Sequence, residues 1–364
     1  MIKSEHIEWV RLLPKPKYPL MISGIRSLST KELIEMGFKF ERIPLFGSLP
    51  RDAYGPKTWI SALAKHYNVQ FGNVTLCAGA NMAIYLLCAG LLNHGDEIIL
   101  ESPSYEPFRC ASESRGAKIK YLHRRLANHY QPDPDELKKL ITKRTKVILI
   151  SNLHNPSGVK LENNTVKALI NVAEKHGVYI ACDEVYHDFL WDKRDETFCK
   201  HSPMAISLSS LTKVYGLGLM RAGWIMANPK LTYLFSRTYD YMPGNDSYPA
   251  QMIALYCLRN INKLISRTKI IEGKSLSIIK NWMATESRLQ WVEPDGGIVC
   301  FLRLPQGVNS RKFQQHLLKK YDTAVVPGDF FGTPGYIRVA GGIKASILQK
   351  GLKNISAALD DFKL

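Results

Sequence analysis

The sequence predicts an α/β protein, with a large domain built on a mostly parallel seven-stranded sheet flanked by helices and a smaller α+β domain after it. Strand-like and helix-like patterns alternate from about residue 56 to residue 245. Some of the strand-like runs are continuously apolar, as in Val147–Ile150, which is typical of parallel strands buried on both faces. Together these patterns predict βαβ units, with helices on both faces of the sheet.

The elements of the large domain can be placed in order. We predict strands at 74–77, 97–101, 118–122, 147–151, 179–183, 204–209 and 222–227. Helices fit at 57–67, 80–92, 106–115, 134–141 and 163–176. The tripeptide Pro243-Gly244-Asn245 then makes a break in the pattern.

A second set of elements follows that break. Residues 246–286 are predicted to be long, largely helical and basic on one face. Three later runs read as strands of a smaller sheet: Gly296 to Leu304, Thr323 to Val326 and Tyr336 to Val339.

Length and composition describe a globular chain with room for two domains. It has 364 residues, of which 45% are hydrophobic and 22% are charged. The start, Met1 to Glu8, has no apolar signal core, and the longest apolar run, Met82 to Leu92, is too short to cross a bilayer. We therefore expect a cytoplasmic protein with no membrane partner.

The chain is basic, with a net charge of +17 from 49 basic and 32 acidic residues. Such a balance is compatible with nucleic-acid binding, but also with solvated helix and strand faces or with attraction of anionic substrates. No helix-turn-helix stretch precedes residue 54, so we expect no nucleic-acid partner.

The seven cysteines are odd in number and widely spaced, with no C-x-x-C pair. This spacing supports neither a metal site nor a disulfide framework, and no metal is expected.

A lysine with unusual neighbours lies in the run Ser210-Leu211-Thr212-Lys213, and Arg221 follows eight residues after it. Desolvation and a nearby cation both lower the pKa of an ammonium group. A neutral lysine amine is a nucleophile that forms Schiff bases with carbonyl compounds. Lys213 is therefore a candidate catalytic residue, the alternative being a solvated surface charge.

Two polar motifs directly follow apolar strands upstream of this lysine. One is Asn155-Pro156-Ser157-Gly158 after the strand at 147–151, and the other is Asp183-Glu184-Val185-Tyr186 after the strand at 179–183. Ligands of open α/β sheets bind at the carboxyl ends of the strands. Each motif alone could be a turn or a packing feature, but together they suit the binding of a pyridinium electron sink, with Asp183 at its nitrogen.

These residues, in the order asparagine, aspartate, tyrosine, lysine and arginine, resemble those of fold-type I pyridoxal-phosphate enzymes of the class I/II aminotransferase family. The similarity runs from about Tyr54 to the C-terminus. The resemblance implies a role for each residue: the Schiff base for Lys213, the pyridine nitrogen for Asp183, the 3-hydroxyl for Asn155 and Tyr186, and the phosphate for Ser210 and Arg221. The cofactor implied is pyridoxal 5′-phosphate.

The resemblance extends to further residues. Gly79, Ala80 and Asn81 stand where a strand turns into a helix, a natural anion site, and would also bind the phosphate. The remaining implied roles are stacking on the pyridine ring for Tyr105, contact with the partner's phosphate across a dimer interface for Tyr54, and binding of the substrate α-carboxylate for Arg338 and the backbone of Gly24.

Some positions depart from the family pattern. Leu219 stands two residues before Arg221, where a small residue is usual, and Ala80 and Asn81 replace a frequent hydroxyl and glycine. The stretch Leu20 to Leu33 lacks the glycine-rich opening of many aminotransferases. These departures bear on the substrate and the reaction type rather than on the cofactor.

The resemblance also implies a domain division and an assembly. An N-terminal arm at 1–45 would pack with the small domain, the large cofactor-binding domain would span 46–245, and the small C-terminal domain would span 246–364. A homodimer with the active site at its interface is expected.

The function predicted is an aminotransferase that acts on an L-amino acid through an internal aldimine on Lys213. The alternative is a non-transaminating enzyme with the same cofactor, which catalyses β- or γ-elimination, replacement, or cyclisation of, for instance, a hydroxylated guanidino amino acid such as hydroxyarginine. A cofactor-binding regulator or scaffold without catalysis is a third reading. His154 could reach the site or be an ordinary strand-end imidazole, and the arm, with Trp9 and Tyr18, could roof the pocket or simply pack.

Overall fold

The computed structural model describes residues 2–43, 54–193, 195–242 and 246–362. The N-terminal arm contains helix α1 (Glu5–Leu12), strand β1 (Tyr18–Pro19) and helix α2 (Thr30–Glu35). Ser4 caps α1 with its hydroxyl, and Ser29 and Glu32 form a capping box at the start of α2.

The largest sheet in the described part of the chain has seven strands. These are β2 (Val74–Ala78), β3 (Glu97–Ser102), β4 (Lys118–His123), β5 (Thr145–Ser151), β6 (Tyr179–Asp183), β7 (Ala205–Ser210) and β8 (Ala222–Met226). Their order is β2-β8-β7-β6-β5-β3-β4, and β8 is antiparallel to both of its neighbours while the other pairs are parallel. The predicted fold class, a mostly parallel seven-stranded sheet flanked by helices, is confirmed.

In the described residues, six helices accompany these strands. They are α3 (Lys57–Tyr67), α4 (Ala80–Leu91), α5 (Glu106–Ser114), α6 (Pro134–Leu140), α7 (Asn163–His176) and α8 (Pro229–Tyr239). Successive residues of β5 enter two different cores: Val147 and Leu149 pack with α4, α5 and α8, while Ile148 and Ile150 pack with α6 and α7. Helices therefore cover both faces, which explains why the strand is apolar at every position.

The C-terminal region builds a smaller α+β unit. Its elements are α9 (Tyr248–Arg259), α10 (Ile261–Met283), β9 (Val299–Arg303), α11 (Ser310–Tyr321), β10 (Thr323–Ala324), β11 (Val326–Pro327), β12 (Tyr336–Ala340) and α12 (Ala345–Asp361). β11, β12 and β9 form an antiparallel sheet, and β10 pairs in parallel with β1 of the arm.

One sequence expectation for this region needs correction. The strand predicted from Thr323 to Val326 is two short strands, because the Val325 N–H donates to Gln314 Oε1 of α11, at 2.8 Å, instead of to a neighbouring strand. The prediction of a largely helical stretch at 246–286 is confirmed, and the structure divides it at Asn260 into α9 and α10.

The predicted boundaries between the three domains cannot be compared with the structure, because residues 44–53 and 243–245, including the predicted break Pro243-Gly244-Asn245, lie outside the described residues. The domain division therefore stays a prediction. No helix in the described part of the chain has the length and hydropathy needed to cross a membrane.

Candidate active site

Three neighbouring parallel strands end at one cavity. β5, β6 and β7 end at Ser151, Asp183 and Ser210, so the loops that follow them meet at the same edge of the sheet. The cavity there has a volume of about 100 Å³. It is lined by Ser23, Ala80, Asn81, Tyr105, Asn155, Asp183, Val185, Tyr186, Ser210, Thr212, Lys213 and Arg221.

Lys213 places its amine inside this cavity. Its Nζ donates a hydrogen bond to Ser23 Oγ at 2.9 Å. Burial lowers the pKa of Lys213 to about 8, helped by the positive charge of Arg338 and opposed by Asp183. A substantial fraction of the amine is therefore neutral near pH 8, as a nucleophile or a base requires.

Asp183 is a buried carboxyl group that lacks a cationic partner. Its Oδ1 accepts a hydrogen bond from the Val185 N–H at 3.0 Å, and no ion pair joins it to a Lys, Arg or His among the described residues. Burial raises the pKa of Asp183 to about 7 despite that hydrogen bond, and the nearby Glu101 contributes to the increase. A cationic group placed against Asp183 would relieve this cost, so the site suits a protonated ring nitrogen.

Asn155 and Tyr186 connect the cavity to the N-terminal arm and to β12. The Tyr186 hydroxyl donates to the backbone oxygen of Ser23 at 2.7 Å. Asn155 Oδ1 accepts a hydrogen bond from Arg338 Nη1 at 3.0 Å. Both predicted ligands of a 3-hydroxyl are thus on the cavity wall and fixed by contacts that are distant in sequence.

The start of α4 and Arg221 form the cationic end of the cavity. Gly79 precedes the helix with φ +83°, and a Cβ atom there would lie 2.5 Å from Arg221 Nη2, so a larger residue would collide with the guanidinium. The N–H groups of Ala80 and Asn81 lie in the first turn, where a helix offers no internal acceptor. Arg221 makes no ion pair with a carboxylate among the residues that the structure describes, and donates to the carbonyls of Ala78 and Gly218. This end is suited to an anion.

Thr212 supplies a hydroxyl group near the cationic end of the cavity that the sequence did not indicate. Thr212 lies on the cavity wall, and its Oγ1 is buried with no hydrogen-bond partner among the described residues. Such an orphaned hydroxyl is rare unless a ligand satisfies it. The donors present therefore fit a phosphate group.

Arg338 lies behind Asn155 rather than on the wall of this cavity. Besides Asn155, it donates through Nη2 to the Met21 carbonyl at 3.1 Å, and its Cζ lies 5.0 Å from the centre of the Phe331 ring. Its Nε is buried without a partner, and no carboxylate pairs with it among the described residues. Gly24 packs beside Lys213: a Cβ at Gly24 would lie 3.6 Å from Lys213 Cδ.

Two of the residues considered in the sequence lie away from the cavity. Tyr54 is 45% exposed, and Arg237 lies over its ring at 5.1 Å. His154 is fully buried, and its ring nitrogens contact Ser157 Oγ at 2.7 Å and the Pro103 carbonyl at 2.9 Å. His154 therefore has the surroundings of a structural strand-end imidazole.

Three wall residues were missed in the sequence: Ser23, Val185 and Thr212. Thr212 directly precedes Lys213, so its position in the sequence could have identified it as a residue of the site. Ser23 bonds a lysine 190 residues away, a contact that no local pattern could reveal.

A buried ion pair supports the wall behind Asn155. Arg124 Nη1 donates to Glu101 Oε2 at 2.6 Å, with both side chains fully buried. The other carboxylate oxygen of Glu101 accepts from the Ser151 hydroxyl, and Ser151 Oγ accepts from the Asn155 N–H at 3.2 Å. The pair thus helps to hold the loop that carries Asn155.

Replacing Arg124 with methionine is expected to lower the free energy of unfolding by about 3–5 kcal/mol, because it leaves the Glu101 charge buried and unpaired. Arg125→Met is the matched control, since Arg125 pairs with Glu136 at 3.0 Å on the surface, and should cost less than about 1 kcal/mol. Urea denaturation followed by circular dichroism measures both. Equal losses in the two variants would contradict the role given to the buried pair.

The chain is similar to known proteins over most of its length. Residues 51–355 match the family model described as aminotransferase class I and II. An aspartate aminotransferase of Pyrococcus horikoshii is 27% identical over 308 residues, which cover 81% of this chain and 78% of the relative. Capreomycidine synthase of Streptomyces vinaceus is 24% identical over 343 residues, covering 91% and 84%. A crystal structure of a PLP-dependent aminotransferase from Streptococcus suis 89-1591 matches with a TM-score of 0.92 and 25% identity, covering 100% of this chain and 98% of the other.

Proposed function

Because this chain belongs to the aminotransferase class I and II family, whose cofactor is pyridoxal 5′-phosphate, we propose that it transfers the amino group of an L-amino acid to a 2-oxo acid by means of Lys213. The observation that carries this proposal is the presence, on the wall of one cavity, of a lysine amine with a pKa of about 8 and a buried aspartate that makes no ion pair among the described residues. When bound, the cofactor supplies an aldehyde that a lysine can attack and a ring that withdraws electrons from the substrate α-carbon.

We assign the residues of the cavity to the parts of the cofactor. Asp183 would keep the pyridine nitrogen protonated, and Tyr105 would cover the ring. Asn155 is able to donate to the 3-hydroxyl oxygen through its amide nitrogen, and Tyr186 would do so by turning its hydroxyl proton from the Ser23 carbonyl to that oxygen. The phosphate would be held by Gly79, Ala80, Asn81, Ser210 and Arg221, with Thr212 as an added donor.

The substrate α-carboxylate is assigned to Arg338. This guanidinium is buried, carries an unpartnered Nε, and is oriented by Asn155 and Met21. A planar guanidinium binds a carboxylate through two parallel hydrogen bonds, which fixes the direction of the α-carbon. The backbone of Gly24, beside Lys213, would add a donor at the same place.

Lys213 would also move the proton at the α-carbon. Its Nζ is held by Ser23 Oγ, and its pKa of about 8 lets the amine take up and return a proton near neutral pH. The same residue would thus serve first as the attachment point of the cofactor and then as the base.

Product analysis tests the proposal. The loaded enzyme is incubated with each of the common L-amino acids, with and without an added 2-oxo acid, and the products are identified by mass spectrometry. Transamination predicts that a 2-oxo acid forms from the amino acid, that turnover continues only when a 2-oxo acid acceptor is present, and that the acceptor gains the amino group. Turnover with no requirement for an acceptor would contradict it.

A second candidate function is a cyclase or lyase with the same cofactor, supported by the similarity to capreomycidine synthase over 91% of the chain. Such a reaction would use the same lysine to move the α-proton and would then lose or replace a side-chain substituent. The same product analysis separates the two functions, because a cyclised or eliminated product forms without an amino acceptor.

We also propose that the enzyme is a homodimer, with Tyr54 reaching the partner's site. Large exposed apolar side chains support the assembly: Tyr241 is 90% exposed, and Leu219, two residues from Arg221, is 85% exposed. Sedimentation equilibrium should give twice the mass of one chain, and a monomeric active enzyme would refute the assembly.

The cytoplasm is the proposed location. All seven cysteines are free thiols, and five of them are buried, which fits a reducing compartment. Fractionation of cells that produce the protein would test this, and recovery outside the cytoplasm would refute it.

A further inference from the structure

His6 is a buried imidazole next to the candidate active site. It lies on α1 of the N-terminal arm and is only 3% exposed. Its ring stacks on Phe330 with centres 5.2 Å apart and planes 13° from parallel. It also meets Phe331 at 5.6 Å and Tyr105, a residue of the cavity wall, edge to face at 6.2 Å.

The backbone of His6 is firmly held. Its N–H donates to Glu106 Oε2 at 2.8 Å, and the same oxygen accepts from the Ser4 hydroxyl at 2.6 Å. Glu106 directly follows Tyr105, so the start of α1 is fixed to the segment that forms the cavity wall. The position of the His6 ring is therefore determined by the fold and not by a loose N-terminus.

The ring of His6 has polar capacity that the described protein does not use. Nδ1 of the ring is shielded from solvent and has no hydrogen-bond partner among the described residues. Leaving a buried polar atom unpaired costs free energy, so such atoms usually find a partner in the working state. Here that partner would come from a bound ligand.

The charges around His6 restrict what that ligand can be. Burial and the positive charges of Arg338 and Lys213 lower the pKa of His6 to about 3, so the imidazole is neutral and presents one N–H donor. Two cations nearby disfavour a third positive charge. The group that fits is an oxygen acceptor that carries no positive charge.

We propose that His6 is a specificity-determining residue: it donates a hydrogen bond to an oxygen atom on the substrate side chain and selects amino acids with a carboxylate, carboxamide or hydroxyl group there. This inference rests on the proposed function, which places the α-carboxylate at Arg338 and the α-carbon at Lys213. Phe331 contacts both Arg338 and His6, and the charges of Arg338 and Lys213 both act on the His6 ring, so the ring lies near the two residues assigned to the substrate. A cationic side chain such as that of arginine would be selected against.

The test compares amino acids of matched shape. The rate constant with which each one changes the cofactor absorbance is measured for aspartate, asparagine and leucine, and for threonine and valine. In the natural enzyme, at least one oxygen-bearing member should exceed its apolar counterpart by about 10-fold or more, as one hydrogen bond to a buried partner implies. His6→Phe keeps the stacked ring and should remove that preference, while the rate with leucine or valine changes less than about 3-fold.

Control variants separate recognition from packing. Trp9→Phe alters another aromatic residue of α1 that contacts Phe330, at 5.4 Å, and should leave the preference unchanged. His6→Asn keeps a donor and should retain part of the preference even if it is less stable. Nitrogen NMR gives a second readout, because the His6 ring signals should shift with the preferred amino acid and not with its apolar counterpart.

The inference is overturned if no oxygen-bearing amino acid is preferred, or if His6→Phe slows both members of each pair equally. Failure of the proposed function has a different signature. In that case the natural enzyme would fail to bind the cofactor through Lys213, or would react with amino acids without forming 2-oxo acids.

Discussion

Replacement of Lys213 with alanine is expected to lower kcat by at least about 10⁴-fold, because it removes both the covalent attachment point and the base that moves the α-proton. The purified variant should lack the visible absorbance of the attached cofactor while keeping its fold. Within the described part of the chain, the Lys213 amine makes a hydrogen bond to Ser23 alone, so its removal should change the stability little. Absorbance spectroscopy and stopped-flow kinetics with the best amino acid measure the two effects.

Two controls sharpen this prediction. Lys230→Ala, on the exposed start of α8, should be fully active. Added methylamine should restore part of the lost proton transfer in Lys213→Ala, since a small amine can occupy the space left by the side chain. A Lys213→Ala enzyme that retains natural turnover would show that another group does the chemistry.

Replacement of Asp183 with asparagine is expected to lower kcat by about 10²- to 10³-fold, because a neutral amide cannot stabilise the protonated ring nitrogen. The shape of the side chain is conserved, so binding of the phosphate by Arg221 and its neighbours should persist. An unchanged kcat would contradict the assignment of Asp183 to the ring nitrogen.

The same substitution, Asp183→Asn, should increase the stability of the cofactor-free protein at neutral pH. Burial raises the pKa of Asp183 from 3.8 to about 7, so the folded chain holds a proton that the unfolded chain has lost. Stability contributed by this group therefore falls as the pH rises between those two values. The melting temperature of Asp183→Asn, relative to that of the natural protein, should increase from pH 4 to pH 7. A constant difference over that range would contradict the unpaired burial of the carboxyl group.

Much of the fold could be predicted because the sequence patterns that specify its elements are local. The apolar residues of β5 and the turn at Gly79 before α4 each specify their own element, and both appear where the sequence placed them. The division of 323–326 into two strands could not be predicted, since it depends on a hydrogen bond from the Val325 N–H to Gln314 of a neighbouring helix. Reversal of β8 also requires knowledge of its neighbours in the sheet.

The candidate site likewise contains residues that local sequence predicted and residues that only tertiary packing brings there. Asn155, Asp183 and Lys213 follow strand ends, and the structure brings all three to one cavity as their positions implied. Ser23 and His6 belong to an arm with ordinary local sequence, and only tertiary packing brings them to the lysine and to Tyr105. The cavity residues at strand ends were therefore predictable from local sequence, while the contacts made by the N-terminal arm were not.

The most direct test of the central claim is to reduce the loaded enzyme with borohydride and map the modified peptide. The account predicts one pyridoxyl group per chain, on the ε-nitrogen of Lys213. A label on a different lysine, or no label on a folded enzyme that contains the cofactor, would contradict it.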